Sequence, residues 1–580
     1  MGVMAAVLCA GAAAGDRRNA DTPNTDTHFV MPVYGSLGEW EARKGQLRAQ
    51  ILSAAGLLPL PEKTPLNPRV FGRMERRGYS IEKVLLETMP GYFLGGNLYR
   101  PLGKGGKHPG VLTPHGHWTY GRLENAPEFS GPALGISLAR QGYVVFAYDM
   151  VGWNDTVQTP HAFGGRREQL WSFGPLGLQL WNSMRAVDFL QSLEDVDGGK
   201  IAVTGASGGG TQTFLLAAAD ERVGYAAPVN MVSAIMQGGS PCENAANLRV
   251  GTFNVEIASL FAPRPLLLVA ATGDWTRNVP REEYPAVRRI YELYGKGENV
   301  QTVQFQADHN YNRDSREAVY RFFGKHILGE TEAEKLSEAE AEAEKLQDML
   351  ALHNRKLPES ALSYDGLFAQ WRSRSRAQTD GIADKEALRS LLRHSIGAEW
   401  PEQVAAERDG ERIVLSRPGK GDRAPGIYLP GIGPAALVVH REGAEAARSE
   451  EAVRKMLSAR RAVLLLDAFQ TGAAAAPRDR SHEFFLTFNR SDDAHRVQDI
   501  LTGLAFLRAR HGGKPELVGV GKAAVWSLFA AALAPVELKL TADTGGFSGS
   551  DEEFERDFFV PGIQRAGGLK TAMVLVEGKR

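Results

Sequence analysis

The chain has 580 residues, 43% of them hydrophobic, with 67 basic against 68 acidic side chains. That length asks for more than one core, roughly two to four units, and the even charge balance offers no electrostatic case for nucleic acid. No apolar run approaches the ~20 residues of a membrane span, and two cysteines, Cys9 and Cys242, provide no cysteine-based metal site.

In chain order, Gly2–Gly15 is apolar and small-residue rich, like the tail of a secretory signal peptide without a basic n-region. Residues 1–27 are therefore expected to be a signal peptide or a disordered N-terminus, with a periplasmic or secreted product; otherwise the protein is cytoplasmic. If the segment is cleaved, Cys242 stands alone and no intrachain disulfide forms. Leu37–Leu57 has helical periodicity and precedes a proline-rich connector, Leu58–Pro68. Strand signals follow at Val70-Phe71 and Ile81–Leu86. A further strand, His108–Pro114, leads into His115-Gly116-His117-Trp118.

The most informative segment is Gly205-Ala206-Ser207-Gly208-Gly209. A β-branched run, Lys200–Thr204, precedes it, and helix-forming residues, Gly210–Ala219, follow. Strand, Gly-x-Ser-x-Gly and helix together specify a nucleophile elbow, a strained turn that presents a serine. Gly546-Phe547-Ser548-Gly549-Ser550 carries a similar pattern with the wrong flanks.

A serine nucleophile needs a base, and the base an orienting acid. Downstream, the strand pattern Arg264–Ala271 ends in Thr272-Gly273-Asp274. A helix-like stretch, Tyr284–Tyr294, precedes the strand-like Val300–Phe305, which opens into Asp308-His309. Asp274 and His309 each follow the carboxyl end of a strand, where open α/β sheets place ligands, and the order Ser, Asp, His suits a hydrolase. Taken singly, Asp274 also reads as a turn residue and His309 as a loop residue. Asp308 is the second choice of acid, disfavoured because it adjoins the ring it would orient.

The oxyanion-hole candidates are the backbone N–H groups of Gly208 and of His117 or Gly116. His115 and His117 also form a His-x-His pair, but no third ligand stands at a suggestive spacing, so no metal is expected. Trp118, Tyr120, Trp153, Phe163, Trp171 and Trp275 lie on the neighbouring loops. Trp118, Trp153 and Trp275 are taken as substrate-pocket candidates for stacking on sugar rings; burial as loop anchors is the plainer reading of each.

From about Ile51 to His326 the chain resembles the acetyl xylan esterase-like branch of the α/β-hydrolases, related to prolyl-oligopeptidase and dienelactone-hydrolase-type enzymes. The resemblance rests on Gly95–Pro101, His115–Trp118, Gly205–Thr213, Cys242-Glu243-Asn244-Ala245 and Asp308–Tyr311. It implies an α/β-hydrolase fold, a mostly parallel central sheet with helices on both faces, over residues 28–328. It also implies ester hydrolysis without a cofactor, with acetyl or other short acyl groups on a carbohydrate or small molecule as substrate. A prolyl-oligopeptidase-type serine peptidase and a non-catalytic binding protein on the same scaffold are the alternatives. No propeller repeat is present for the first of these.

Residues 329–400 read as a helical acidic linker, with Gly329–Leu352 as its solvated helix. Residues 401–580 repeat the first domain. Lys514–Gly521 aligns without gaps on Lys200–Ser207, Ala462–Asp467 echoes Tyr143–Asp149, and Ala436–His440 echoes Val111–His115. Gly521 replaces the nucleophile, with Lys522 and Ala523 in place of Gly208 and Gly209. Thr571–Val576 matches the strand before Asp274, leaving no residues for a second acid and histidine. The expectation is a truncated, degenerate and catalytically dead hydrolase-like domain, with an unpaired sheet edge that docks on the first domain or on a partner.

Overall fold

The computed structural model describes residues 15–338, 340, 342–577 and 579. The stretch Gly2–Ala14, with Cys9, lies outside the described residues. The chain forms two compact units. The first comprises residues 24–381 together with Leu486–Phe488; the second comprises residues 382–485 and those from 489 onward, together with the described residues before 24. Among the described residues, no helix is long and apolar enough to cross a membrane.

The first unit contains β1 (Arg69–Arg76), β2 (Tyr79–Met89), β3 (Tyr92–Pro101), β4 (His108–Leu112), β5 (Asn125–Ala126), β6 (Phe129–Ser130), β7 (Val144–Tyr148), β8 (Val196–Ala206), β9 (Val223–Val229), β10 (Leu266–Ala271) and β11 (Val300–Phe305). β5 and β6 form a separate two-stranded ladder, from which Phe129 also bridges Tyr311, and the remaining nine strands form one sheet in the order β1-β2-β3-β7-β4-β8-β9-β10-β11. β1, β2, β3 and β7 pair antiparallel. From β7 to β11 every pairing is parallel. Helices cover both faces, so β4, β7 and β10 are buried at every position and read as continuous apolar runs. The carboxyl ends of β8, β10 and β11 lie along the same edge, because parallel strands share a direction.

Gly329–Leu352 is not the expected solvated helix. Among its described residues it has only the short turns Ala333–Leu336 and Leu346–Met349. Its apolar residues Leu336, Met349 and Ala351 are buried, and the buried Asp155 carboxylate accepts Ala351 N–H at 2.9 Å and Leu352 N–H at 2.8 Å. Composition favoured a helix; burial of a few apolar anchors won. The stretch before Gly381 is a helix, Tyr364–Asp380, capped by Ser363 and buried through Leu367, Phe368 and Trp371.

The second unit contains β12 (Ala405–Asp409), β13 (Arg412–Ser416), β14 (Ala424–Leu429), β15 (Gly433–His440), β16 (Arg461–Leu466), β17 (Glu516–Val520) and β18 (Lys539–Ala542). Their order is β12-β13-β14-β16-β15-β17-β18. Strand for strand this is the order β1-β2-β3-β7-β4-β8-β9, without counterparts of β10 and β11 among the described residues. The unit is a degenerate α/β-hydrolase-like domain. Thr571–Val576, expected as a strand, belongs instead to the helix Gly568–Leu575, whose Thr571, Ala572 and Leu575 are buried at helical spacing. Short apolar runs fit either period, and here the 3.6-residue one prevails.

The expectation of a disordered N-terminus fails for the described residues before 24. Arg17–Ala20 is a helical turn capped by Asp16. Arg18 Nη1 donates to the buried Asp499 carboxylate at 2.7 Å, which also accepts Phe469 N–H at 2.9 Å. The guanidinium lies 4.6 Å from the centre of the Phe469 ring. Removing one partner of a buried pair leaves an uncompensated charge, at a cost of about 3–5 kcal/mol. Arg18→Ala is therefore expected to speed hydrogen exchange throughout the helix Asp492–His511. Unchanged protection in that helix would contradict the assignment.

Candidate active site

β8 ends at Ala206 and the next helix begins at Gly208, so Ser207 alone makes the turn. Its backbone has φ 59° and ψ −127°, a conformation that a side-chain-bearing residue adopts only under external restraint. That restraint is visible. Ser207 N–H donates to Val229 O at 3.2 Å, and Ser207 O accepts Thr211 N–H at 3.0 Å. A Cβ on Gly205 would stand 2.3 Å from Pro114 O, and one on Gly209 2.2 Å from the same oxygen. The glycines are required because the Pro114 carbonyl occupies the space behind the turn. Ser207 does not cap its own helix, so its hydroxyl is not spent there.

Pro114 opens the turn that carries the other donors. His115 is buried; its Nδ1–H donates to Gly116 O at 2.7 Å and its Nε2 accepts Met150 N–H at 2.9 Å. Burial lowers its pKa to about 3. Gly116 lies against the elbow, since a Cβ there would be 2.7 Å from Ala206 O and 2.9 Å from Ser207 Cβ. The His117 ring covers Gly208, with Cε1 2.8 Å from where a Cβ would be. Gly116, His117 and Gly208 thus meet beside Ser207.

At the end of β10, Asp274 Oδ1 accepts Thr276 N–H at 2.7 Å. Its Oδ2 lies 2.8 Å from His309 Nδ1. A carboxylate only accepts, so Nδ1 carries the proton and Nε2 holds the free lone pair. His309 Nε2 is buried without a hydrogen-bond partner among the described residues. Asp308 faces elsewhere: its Oδ1 packs against Gly273, 2.5 Å from where a Cβ would stand. Trp275 lies 4.4 Å and Trp118 6.2 Å from His309, between ring centres. The indole N–H groups of both are buried and unpartnered among the described residues. Trp153 stands farther out, with its Nε1 donating to Trp118 O at 3.2 Å and its ring edge-on to His115 and His117.

The sequence paired His115 with His117; the structure separates them. His117 Nε2 lies 3.2 Å from His161 Nε2 and 3.2 Å from Cys242 Sγ. These partners are 44 and 125 residues away, so no spacing signal could reveal them. The neighbouring Glu243 has a structural role. Its buried carboxylate accepts Thr211 Oγ1–H at 3.1 Å and Gly239 N–H at 3.0 Å, fastening its loop to the helix after the elbow.

A parallel sheet, a serine on a one-residue strand-to-helix turn and a histidine held by an acid define an α/β-hydrolase. No protein-family model matches the chain. A solved structure, Methylesterase BT1017, is 30% identical with a TM-score of 0.51; the match covers 62% of this chain and 77% of that one. The Bacillus subtilis (strain 168) protein named "Putative hydrolase YtaP" is 26% identical over 309 residues, 49% of this chain and 99% of its own length. The chain belongs to the esterases of the α/β-hydrolase superfamily.

His115 gives this site a signature in pH. Its folded pKa, about 3, lies below the ordinary 6.5, so the neutral ring contributes stability that is complete above pH ~6.5 and lost as pH falls toward ~3. The melting temperature of the wild-type protein is expected to drop across that window. His115→Gln should flatten the drop; an equal slope in the variant would rule the ring out as its source.

Proposed function

We propose that the first unit hydrolyses short-acyl esters on carbohydrates through Ser207, His309 and Asp274. The observation that carries this reading is the Asp274–His309 hydrogen bond of 2.8 Å, which leaves Nε2 as a base on the sheet edge where the elbow presents Ser207. His309 Nε2 takes the hydroxyl proton as Ser207 Oγ attacks the ester carbonyl. The backbone N–H groups of Gly208 and His117, helped by the positive end of the helix Gly208–Ala219, take the charge of the tetrahedral oxyanion. The same imidazolium protonates the departing alkoxide. Water then enters and gives a proton to Nε2 as it attacks the acyl carbon; the imidazolium returns that proton to Ser207 Oγ as the bond to the acid breaks. Trp118 and Trp275 offer ring faces for a sugar beside the histidine. The small-residue stretch Gly2–Gly15 supports an exported enzyme acting on external carbohydrate.

The match to a protein named a methylesterase favours a second reading of the same chemistry, with a methyl ester of a sugar acid as the bond broken. In that case methanol leaves and the sugar acid is the acyl group. Acetate and methanol release from acetylated xylan fragments and methyl-esterified uronate oligosaccharides distinguishes the two readings. Neither reading predicts comparable turnover of proline anilides, because an amine is a far poorer leaving group than an alkoxide; such turnover would favour a peptidase.

Ser207→Ala is expected to lower kcat by on the order of 10⁵–10⁶ with the fold intact. Asp274→Asn should cost roughly several hundredfold or more by stabilising the wrong imidazole tautomer. Residual activity of a few per cent in Ser207→Ala would remove that residue from the mechanism. Greater damage from Asp308→Asn than from Asp274→Asn would reassign the acid.

A further inference from the structure

Beside the elbow, three ligand atoms from three separate loops converge. His117 Nε2 is 3.2 Å from His161 Nε2 and 3.2 Å from Cys242 Sγ, and all three ligand atoms lie within 4.8 Å of one another. With metal–nitrogen bonds of about 2.0–2.1 Å and a metal–sulfur bond of about 2.3 Å, the ligand atoms of a tetrahedral zinc site stand roughly 3.3–3.6 Å apart. The two distances from His117 Nε2, each 3.2 Å, are near that value. In the absence of an ion, one of the two facing imidazole nitrogens donates to the other, so the pair is then an N–H···N hydrogen bond.

The surroundings prepare the nitrogens as ligands. His161 Nδ1–H donates to Val151 O at 2.7 Å, which leaves the lone pair on Nε2 and fixes the ring, the usual support behind a metal-bound histidine. Trp153 packs edge-on to both imidazoles, 4.3 Å from His161 and 5.7 Å from His117 between ring centres. Ser240 Oγ, 3.2 Å from His161 Nε2 and 3.6 Å from Cys242 Sγ, adds a hydroxyl in reach of an ion-bound water. Burial, and then the neighbouring Glu243 carboxylate, push the Cys242 thiol up, so the ion itself has to draw the proton off the sulfur.

We propose that His117, His161 and Cys242 form a three-ligand site for a borderline-soft divalent cation, zinc by the chemistry of the set, with a fourth position open to water. Two nitrogens and one thiolate suit zinc or cobalt and disfavour magnesium and calcium, which take oxygen ligands. On binding, the Cys242 thiol transfers its proton to solvent and the sulfur bonds to the metal as thiolate. The ion would pin together the turn at His117, the loop at His161 and the loop at Cys242. His117 would serve both sites, the ion through its ring and the proposed oxyanion hole through its backbone N–H, but ion binding is read without turnover, so the proposal stands or falls separately from the esterase reading.

The test uses the full chain, stripped of metal by chelation and titrated with cobalt(II) and, separately, zinc(II). One ion per chain is expected, with a thiolate-to-cobalt charge-transfer band and a melting temperature that rises with zinc concentration. His161→Ala and Cys242→Ala should each weaken binding by about tenfold or more, and Cys242→Ala should abolish the band. Circular dichroism and urea unfolding of the metal-free proteins establish that the variants fold. Magnesium should neither bind at the site nor shift the melting temperature. Absence of the charge-transfer band in the folded wild-type protein overturns the proposal on its own. Zinc binding of equal strength in both variants also overturns it, by locating the ion elsewhere.

Discussion

The close approach of the Pro114 carbonyl to the turn at Ser207 is the constraint on which the rest of the site depends. With that oxygen 2.2–2.3 Å from where Gly205 and Gly209 would carry a Cβ, sheet, turn and helix meet with no spare volume. The serine is forced into φ 59°, its hydroxyl is turned away from helix capping, and the helix N–H groups are left facing the same point. The loop that supplies this oxygen also supplies Gly116 and His117. One backbone contact therefore positions both the proposed nucleophile and the donors proposed for its oxyanion.

Around that fixed point the second layer works by selective saturation. His115 has both ring nitrogens engaged and is chemically idle. Asp274 has one oxygen occupied by Thr276, so the other is directed at His309. The histidine in turn lies against two indoles, 4.4 Å and 6.2 Å away between ring centres, and its Nε2 has no partner among the described residues. Three of the buried polar atoms without partners among the described residues, His309 Nε2 and the indole nitrogens of Trp118 and Trp275, belong to rings in contact with one another, where a substrate would supply partners.

What was legible in the sequence follows the range of the interactions involved. The elbow is written in adjacent residues because its restraint is local and steric, and glycine is the only solution. Asp274 and His309 were legible because each directly follows a strand. The order of the second sheet was legible because Lys514–Gly521 keeps the register of Lys200–Ser207. Other features depend on distant partners. Arg18 meets a carboxylate 481 residues away, and His117 meets Cys242 across 125. No local pattern encodes either. Gly329–Leu352 and Thr571–Val576 misled for a different reason: composition or a short apolar run suggested one element, and burial of particular side chains selected another.

Gly521 has φ +60° where Ser207 has +59°. Gly519 repeats the crowding of Gly205, with a Cβ position 2.9 Å from Ala523 O, while nothing lies within 4 Å of one on Gly521. The bend has persisted without the group it exists elsewhere to display. Its shape is thus an architectural requirement of folding a parallel strand directly onto a helix, and the reactive hydroxyl is a separable addition. A lineage can lose a hydroxyl at such a corner by changing one codon, while the chain's path through it stays the same.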